Sequence, residues 1–152
     1  MGMLTSSMED YLEKIYELMK EKGYARVSDI ASSLSVQPSS VTKMIQKLDE
    51  KQLVTYEKYR GIVLTPKGEQ LGKLMKQRHK RLEEFLRMLG IREETIQQDV
   101  EGIEHHVSPA TMSALNNLVL FFENHSHCLQ EFNDFCQDLD ALKETEDEGK
   151  TR

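Results

Sequence analysis

The chain has 152 residues, 38% hydrophobic and 30% charged, with a formal net charge of -6. That describes a soluble, helix-rich protein of one large or two small domains. No apolar run approaches the roughly 18 residues of a membrane span, and the N-terminus lacks a signal peptide's basic start. A cytoplasmic protein with no membrane partner is expected.

Cys128 and Cys136 sit at helical spacing with Phe132 between them, which suggests buried thiols in a reducing compartment. The charge is uneven. Residues 1–70 carry 10 basic and 10 acidic side chains, residues 71–90 carry 6 and 2, and residues 91–152 carry 4 and 14. Acid is concentrated toward the C-terminus, so the N-terminal part can still face phosphates.

Residues 7–22 read as a first helix, capped by Ser7 and stopped by Gly23, with Met8, Tyr11, Leu12, Ile15, Tyr16 and Met19 as its apolar stripe. Asp10, Glu13 and Glu17 fall on the opposite face. They are either a solvated acidic face or, for Asp10 and Glu13, hard oxygen ligands offered to something outside the domain.

Val27 to Leu34 predicts a short helix capped by Ser28, and Ser35-Val36-Gln37 makes a turn. Pro38 opens a second helix to about residue 51, at a position where its missing N–H costs nothing. Val41, Met44, Ile45 and Leu48 face inward, which leaves Ser39, Ser40, Thr42, Lys43, Gln46 and Lys47 outside. Two short helices with hydroxyls, Gln and Lys on the second form a helix-turn-helix. A β-hairpin follows, Leu53 to Glu57 and Ile62 to Thr65, with Lys58, Tyr59 and Arg60 at its tip. The whole is a winged helix. Such a domain binds DNA or another protein, and the exposed cations with Gln37 and the second helix favour DNA.

A long helix over about 66–89 is capped by Thr65 and ended by Gly90, with Leu71, Leu74, Met75, Arg78, Leu82, Phe85, Leu86 and Leu89 on its buried side. His79 stands at the edge of that stripe, one turn before a possible partner, Glu83. A shorter helix from about 93 to 106 carries Glu101, Glu104 and His105 at i, i+3 and i+4. Two carboxylates and an imidazole so spaced are either a solvated face or part of a transition-metal site whose other ligands lie elsewhere. Ser108-Pro109 restarts the chain, with Met112, Leu115, Leu118, Val119 and Phe122 as its stripe. The last helix, about 127–143, buries Cys128, Leu129, Phe132, Phe135, Cys136, Leu139 and Leu142, and a charged, disordered tail follows over 144–152. His125, His127 and Cys128 point in different directions and read as a helix-start loop.

Taken together, the winged helix with Pro38-Ser39-Ser40-Val41-Thr42-Lys43-Met44, the wing Tyr56 to Gly61 and the segment Val100 to His106 resemble the DtxR family of metal-dependent repressors. Within it they are most similar to the manganese transport regulators of bacilli, over about residues 7–124. The resemblance implies a mainly α fold, with a winged-helix DNA-binding domain over 1–70 and a helical metal-binding and dimerisation domain over 71–143. It implies a homodimer on double-stranded operator DNA that represses manganese-uptake genes, with no substrate. Two Mn(II) per subunit would be held by Asp10, Glu13, His79, Glu101, Glu104 and His105, with His79 on one ion, His105 on the other and Glu13 and Glu104 bridging. Fe(II), Co(II), Zn(II) or Cd(II) would compete. The iron-responsive branch carries a methionine where Asp10 stands and adds an SH3-like third domain, for which this chain is too short.

Oxygen-rich ligands with a minority of imidazole suit Mn(II) independently of the resemblance. Carboxylate-bridged metal pairs also occur in hydrolases, but nothing here nominates a substrate pocket or general acid, so no enzyme is expected. A winged-helix regulator sensing a small organic ligand is the other alternative.

Overall fold

Hydroxyls, glycines and prolines set most of the helix ends in the computed structural model, which describes the backbone over residues 4–149 and side chains over 4–143. The order is α1 (Ser6–Lys22), α2 (Val27–Leu34), α3 (Pro38–Glu50), β1 (Val54–Glu57), β2 (Gly61–Leu64), α4 (Pro66–Met88), α5 (Glu93–Ile103), α6 (Pro109–Asn124) and α7 (Ser126–Gly149). The chain divides into two compact units within α4, one ending at Arg78 and the other starting at His79.

In the first unit α1 is capped by Thr5, whose hydroxyl accepts from the Met8 amide at 3.3 Å, and not by Ser7 as expected. The run Thr5-Ser6-Ser7 offers three possible caps, and the one chosen lies two residues before Ser7, so the helix starts at Ser6. Likewise Ser28 lies inside α2, which starts after Arg26 without a side-chain cap. The reason is a tether: Ala25 exchanges backbone hydrogen bonds with Ile62 at 3.3 and 2.9 Å, so the helix must begin directly after it. Ser35 closes α2 in the left-handed region, φ 53°, and Pro38 opens α3. The hairpin is antiparallel, with Val54 opposite Leu64 and Glu57 opposite Gly61. Leu12, Ile15, Ile30, Leu48, Val54 and Ile62 are almost fully buried and unite α1–α3 and the hairpin around one core. Each such side chain contributes about 1.5–3 kcal/mol of burial.

The first part of α4 is anchored to this core by close backbone approach. A Cβ at Gly68 would lie 1.9 Å from the Leu53 carbonyl oxygen, and one at Gly72 would lie 2.7 Å from the Tyr16 Cβ. Leu74, assigned to the buried side of the helix from its spacing, is instead 55% exposed. It lies one residue before Met75, which takes the inward position.

In the second unit Leu82 and Leu86 of α4 pack with Ile96 and Val100 of α5 and Met112 and Leu115 of α6. α5 ends at Ile103, three residues sooner than its spacing suggests, and Glu104 to His106 form a turn. Pro109 disfavours helix at the residue before it, and Ser108 is accordingly extended, ψ 156°, and caps α6. α7 begins at Ser126, so His127 and Cys128 belong to its first turn and only His125 lies between helices. It runs to Gly149, and 150–152 lie outside the described residues. Glu, Lys and Asp without a breaker let the helix continue. Phe135, Leu139 and Leu142, expected to be buried, are 59%, 39% and 62% exposed.

Candidate metal centre

The second unit gathers one carboxylate and two imidazoles. His79 lies on α4 just past the division between the units, where the helix faces α5. Because α5 stops at Ile103, Glu104 and His105 leave its end in a turn closed by a bond from the His106 amide to the Ile103 carbonyl, 2.9 Å. Glu104 Oε2 lies 2.9 Å from His79 Nδ1, and Glu104 Oε1 lies 3.6 Å from His105 Nε2. The two oxygens of one carboxylate thus face two different rings. Glu104 is 4% exposed and is the one buried charged residue among the described residues. A carboxylate so placed needs a cation or donors to compensate its lost hydration. The other nitrogen of His79, Nε2, lies 3.3 Å from Glu83, so the pairing suggested by their spacing is present. Gln97 of α5, which sequence reasoning missed, donates to that same Glu83 oxygen at 2.9 Å.

Glu101 does not join this group: it is exposed on α5. Asp10 and Glu13 stand one turn apart on α1, in the first unit, each half-buried. Their acidic neighbours on α1 are taken up by cations of the same unit. Glu9 pairs with Arg78 at 2.6 Å, and Glu17 accepts from Lys14 and from Lys76. Burial pushes the Glu17 carboxyl up, but the hydrogen bonds from Lys14 and Lys76 outweigh it and hold the group below its usual value. The expected wet acidic face is therefore half covered.

The donor set fits a divalent transition metal. A shared, buried carboxylate and two imidazoles combine hard oxygen with borderline nitrogen, and neither cysteine belongs to the group. Carboxylate and imidazole together suit mid-row ions better than sulfur-preferring ones.

The expected DNA-facing residues all lie at the surface of the first unit. Gln37, Ser39, Ser40, Thr42, Lys43, Gln46 and Lys47 are exposed along the turn and α3, and Lys58, Tyr59 and Arg60 at the hairpin tip. The Thr42 hydroxyl donates back to the Pro38 carbonyl at 3.1 Å, which leaves its lone pairs as acceptors. Tyr59 is 90% exposed with the Lys58 ammonium 5.6 Å from its ring centre, and Arg60 is within 3.6 Å of Glu57. No helix among the described residues is long and apolar enough to cross a membrane.

Two family models match the chain. One, for the N-terminal DNA-binding domain of iron-dependent repressors, covers residues 3–62; the other, for their metal-binding and dimerisation domain, covers residues 65–133. The HTH-type transcriptional regulator MntR of Bacillus pumilus is 60% identical over 121 residues, 80% of this chain and 84% of that protein. MntR of Listeria monocytogenes is 53% identical over 148 residues, 97% of this chain and 99% of that protein. Among solved structures, the manganese regulator SloR matches with a TM-score of 0.69 and 32% identity over 78% of this chain, which spans 55% of that longer one.

Proposed function

The chain belongs to the DtxR family of metal-dependent transcriptional repressors, and from that membership we propose a homodimeric, Mn(II)-activated repressor of manganese-uptake genes. The observation that carries the metal part is the buried Glu104 carboxylate with an imidazole facing each oxygen. That arrangement supports two closely spaced ions bridged by Glu104, with His79 on one and His105 on the other. Asp10 and Glu13 of α1 and Glu101 of α5 would complete the ligand set. Glu101 is exposed on α5.

Bound Mn(II) supplies divalent charge and a demand for several hard ligands. It sits low in the Irving–Williams order, so geometry and ligand number select it over Fe(II), Co(II), Zn(II) and Cd(II), which compete for the same residues. Without that charge Asp10, Glu13, Glu101 and Glu104 repel one another, and their convergence is disfavoured. With it the same four carboxylates would be held together as ligands. The two α3 helices of a dimer are then held at a spacing matching operator half-sites about one helical turn, or a multiple, apart. Lys43, Lys47, Lys58 and Arg60 meet phosphates, Ser39, Thr42 and Gln46 reach base edges, and Gln37, Ser40 and Tyr59 support them. The family is one of repressors, which bind operator DNA and turn over no substrate.

Equilibrium dialysis of Mn(II) tests the site. About two ions per subunit are expected in wild type, and a large loss in Glu104→Gln. Undiminished binding in that variant contradicts the bridging role.

A further inference from the structure

We propose that Glu83, held in place by Gln97, is the positioning residue that determines which nitrogen of His79 meets the metal. The inference rests on the metal reading above and adds a residue to it.

The His79 ring is strung between two carboxylates. Nδ1 lies 2.9 Å from Glu104, and Nε2 lies 3.3 Å from Glu83 one turn along α4. A neutral imidazole has one N–H and one lone pair, so a ring that ligates a metal through one nitrogen must keep its proton on the other. The two carboxylates are not equivalent. Glu104 is 5% exposed in its side chain and turns its second oxygen to His105, which marks it as the metal-side group. Glu83 is 21% exposed, and the oxygen nearest His79 also accepts from Gln97 at 2.9 Å. It is therefore the acceptor for Nε2–H, and Nδ1 is the ligating atom.

Gln97 is well suited to hold Glu83. Its amide N–H donates to the same oxygen that faces Nε2 and so fixes where that acceptor stands. It is itself steadied: its nitrogen lies 3.5 Å from Glu93, which Arg87 engages at 2.8 Å. A chain Arg87–Glu93–Gln97–Glu83–His79 thus runs between α4 and α5. Outer carboxylates of this kind orient a ligating ring and raise its basicity, and their loss typically lowers metal affinity about 10- to 100-fold.

The test uses the full chain with ¹⁵N-labelled histidine, loaded with ¹¹³Cd(II) as a diamagnetic probe, in wild type, Glu83→Ala, Glu83→Gln and Gln97→Ala. In wild type, coupling to cadmium is expected at His79 Nδ1, with a slowly exchanging proton on Nε2. Glu83→Ala should lose that proton signal and bind Mn(II) about 10-fold or more weakly. Glu83→Gln should retain most of both, since its amide oxygen still accepts, and Gln97→Ala should fall between. Coupling at Nε2 overturns the proposal, as does an unchanged proton signal and Mn(II) affinity in Glu83→Ala. Equal losses in Glu83→Gln and Glu83→Ala also overturn it, because Glu83 would then act as a ligand or through its charge. Absence of cadmium coupling at either nitrogen of wild-type His79 removes the metal reading itself, a failure distinct from the others.

Discussion

His79 Nδ1 and Glu104 Oε2 stand 2.9 Å apart, one on the long helix and one in the turn after α5, with Glu104 almost fully buried. If this contact marks a metal position, saturating Mn(II) must stabilise the protein by mass action, about 2.7 kcal/mol at 100 times the dissociation constant. Calorimetry of wild type with and without Mn(II) should show the corresponding rise in Tm. In Glu104→Gln the rise should vanish. An equal shift in both proteins places the ions elsewhere.

A second expectation concerns selectivity and rests on Asp10, a short hard carboxylate half-buried on α1. Asp10→Met replaces a charged oxygen donor with a thioether, which Mn(II) binds poorly. Activation by Mn(II) should fall most, with Fe(II) and Co(II) losing less. Titrating operator binding with each metal checks it, and equal loss for every metal means that Asp10 sets charge but not preference.

At the DNA face, Lys43 and Arg60 are exposed on α3 and the hairpin tip. Lys43→Ala and Arg60→Ala should each weaken binding to all sequences alike and lower the salt slope by about one. Gln46→Ala should instead relax discrimination at one base position. Unaltered salt slopes in both cation variants would mean that DNA is bound on another face.

Much of this architecture was legible because local chemistry and tertiary packing agree. Pro38, Pro66 and Pro109 each open the helix assigned to them, and the hairpin forms where two apolar runs flank the polar tip, with Val54 opposite Leu64 and Glu57 opposite Gly61. The misses have long-range causes. Ser28 lost its cap role because Ala25 is bonded to the wing strand, a pairing that no local pattern announces. Spacing puts Glu104 and His105 on a helix, yet α5 ends at Ile103 and both stand in the turn that precedes Ser108-Pro109. The types of the metal-binding candidates are readable from spacing, but only the family resemblance joins Glu104 to His79, because their meeting depends on how α4 and α5 pack. Gln97 escaped notice because a glutamine on a helix carries no pattern until its neighbour is known.

The exposed apolar residues of the last two helices predict self-association. Leu118, Phe121, Phe135 and Leu139 are each between 39% and 59% exposed on α6 and α7, more apolar surface than an isolated chain ordinarily leaves open. The protein should sediment as a dimer at micromolar concentration even without metal, since none of these residues is a proposed ligand. Phe135→Glu should shift it toward monomer. A monomeric wild type in metal-free buffer contradicts the dimer.

Acid should loosen the first unit through Glu17. Its carboxyl titrates below the usual value when folded, so its pairing with Lys14 and Lys76 contributes fully above the unfolded value near 4.5 and is lost as pH falls through the folded one. Glu17→Gln should lower stability at neutral pH and flatten the acid limb of a stability–pH curve. Parallel curves for variant and wild type would show that the pairs contribute nothing, a common result for partly exposed ions.

The central claim is that metal switches DNA binding on, and operator affinity measured against Mn(II), Fe(II), Co(II) and Zn(II) at one fixed salt concentration tests it most directly. The account predicts tight, sequence-specific binding with Mn(II), weaker activation by Zn(II), and reversal by a chelator. Operator affinity that is the same with Mn(II) and after chelation would contradict it.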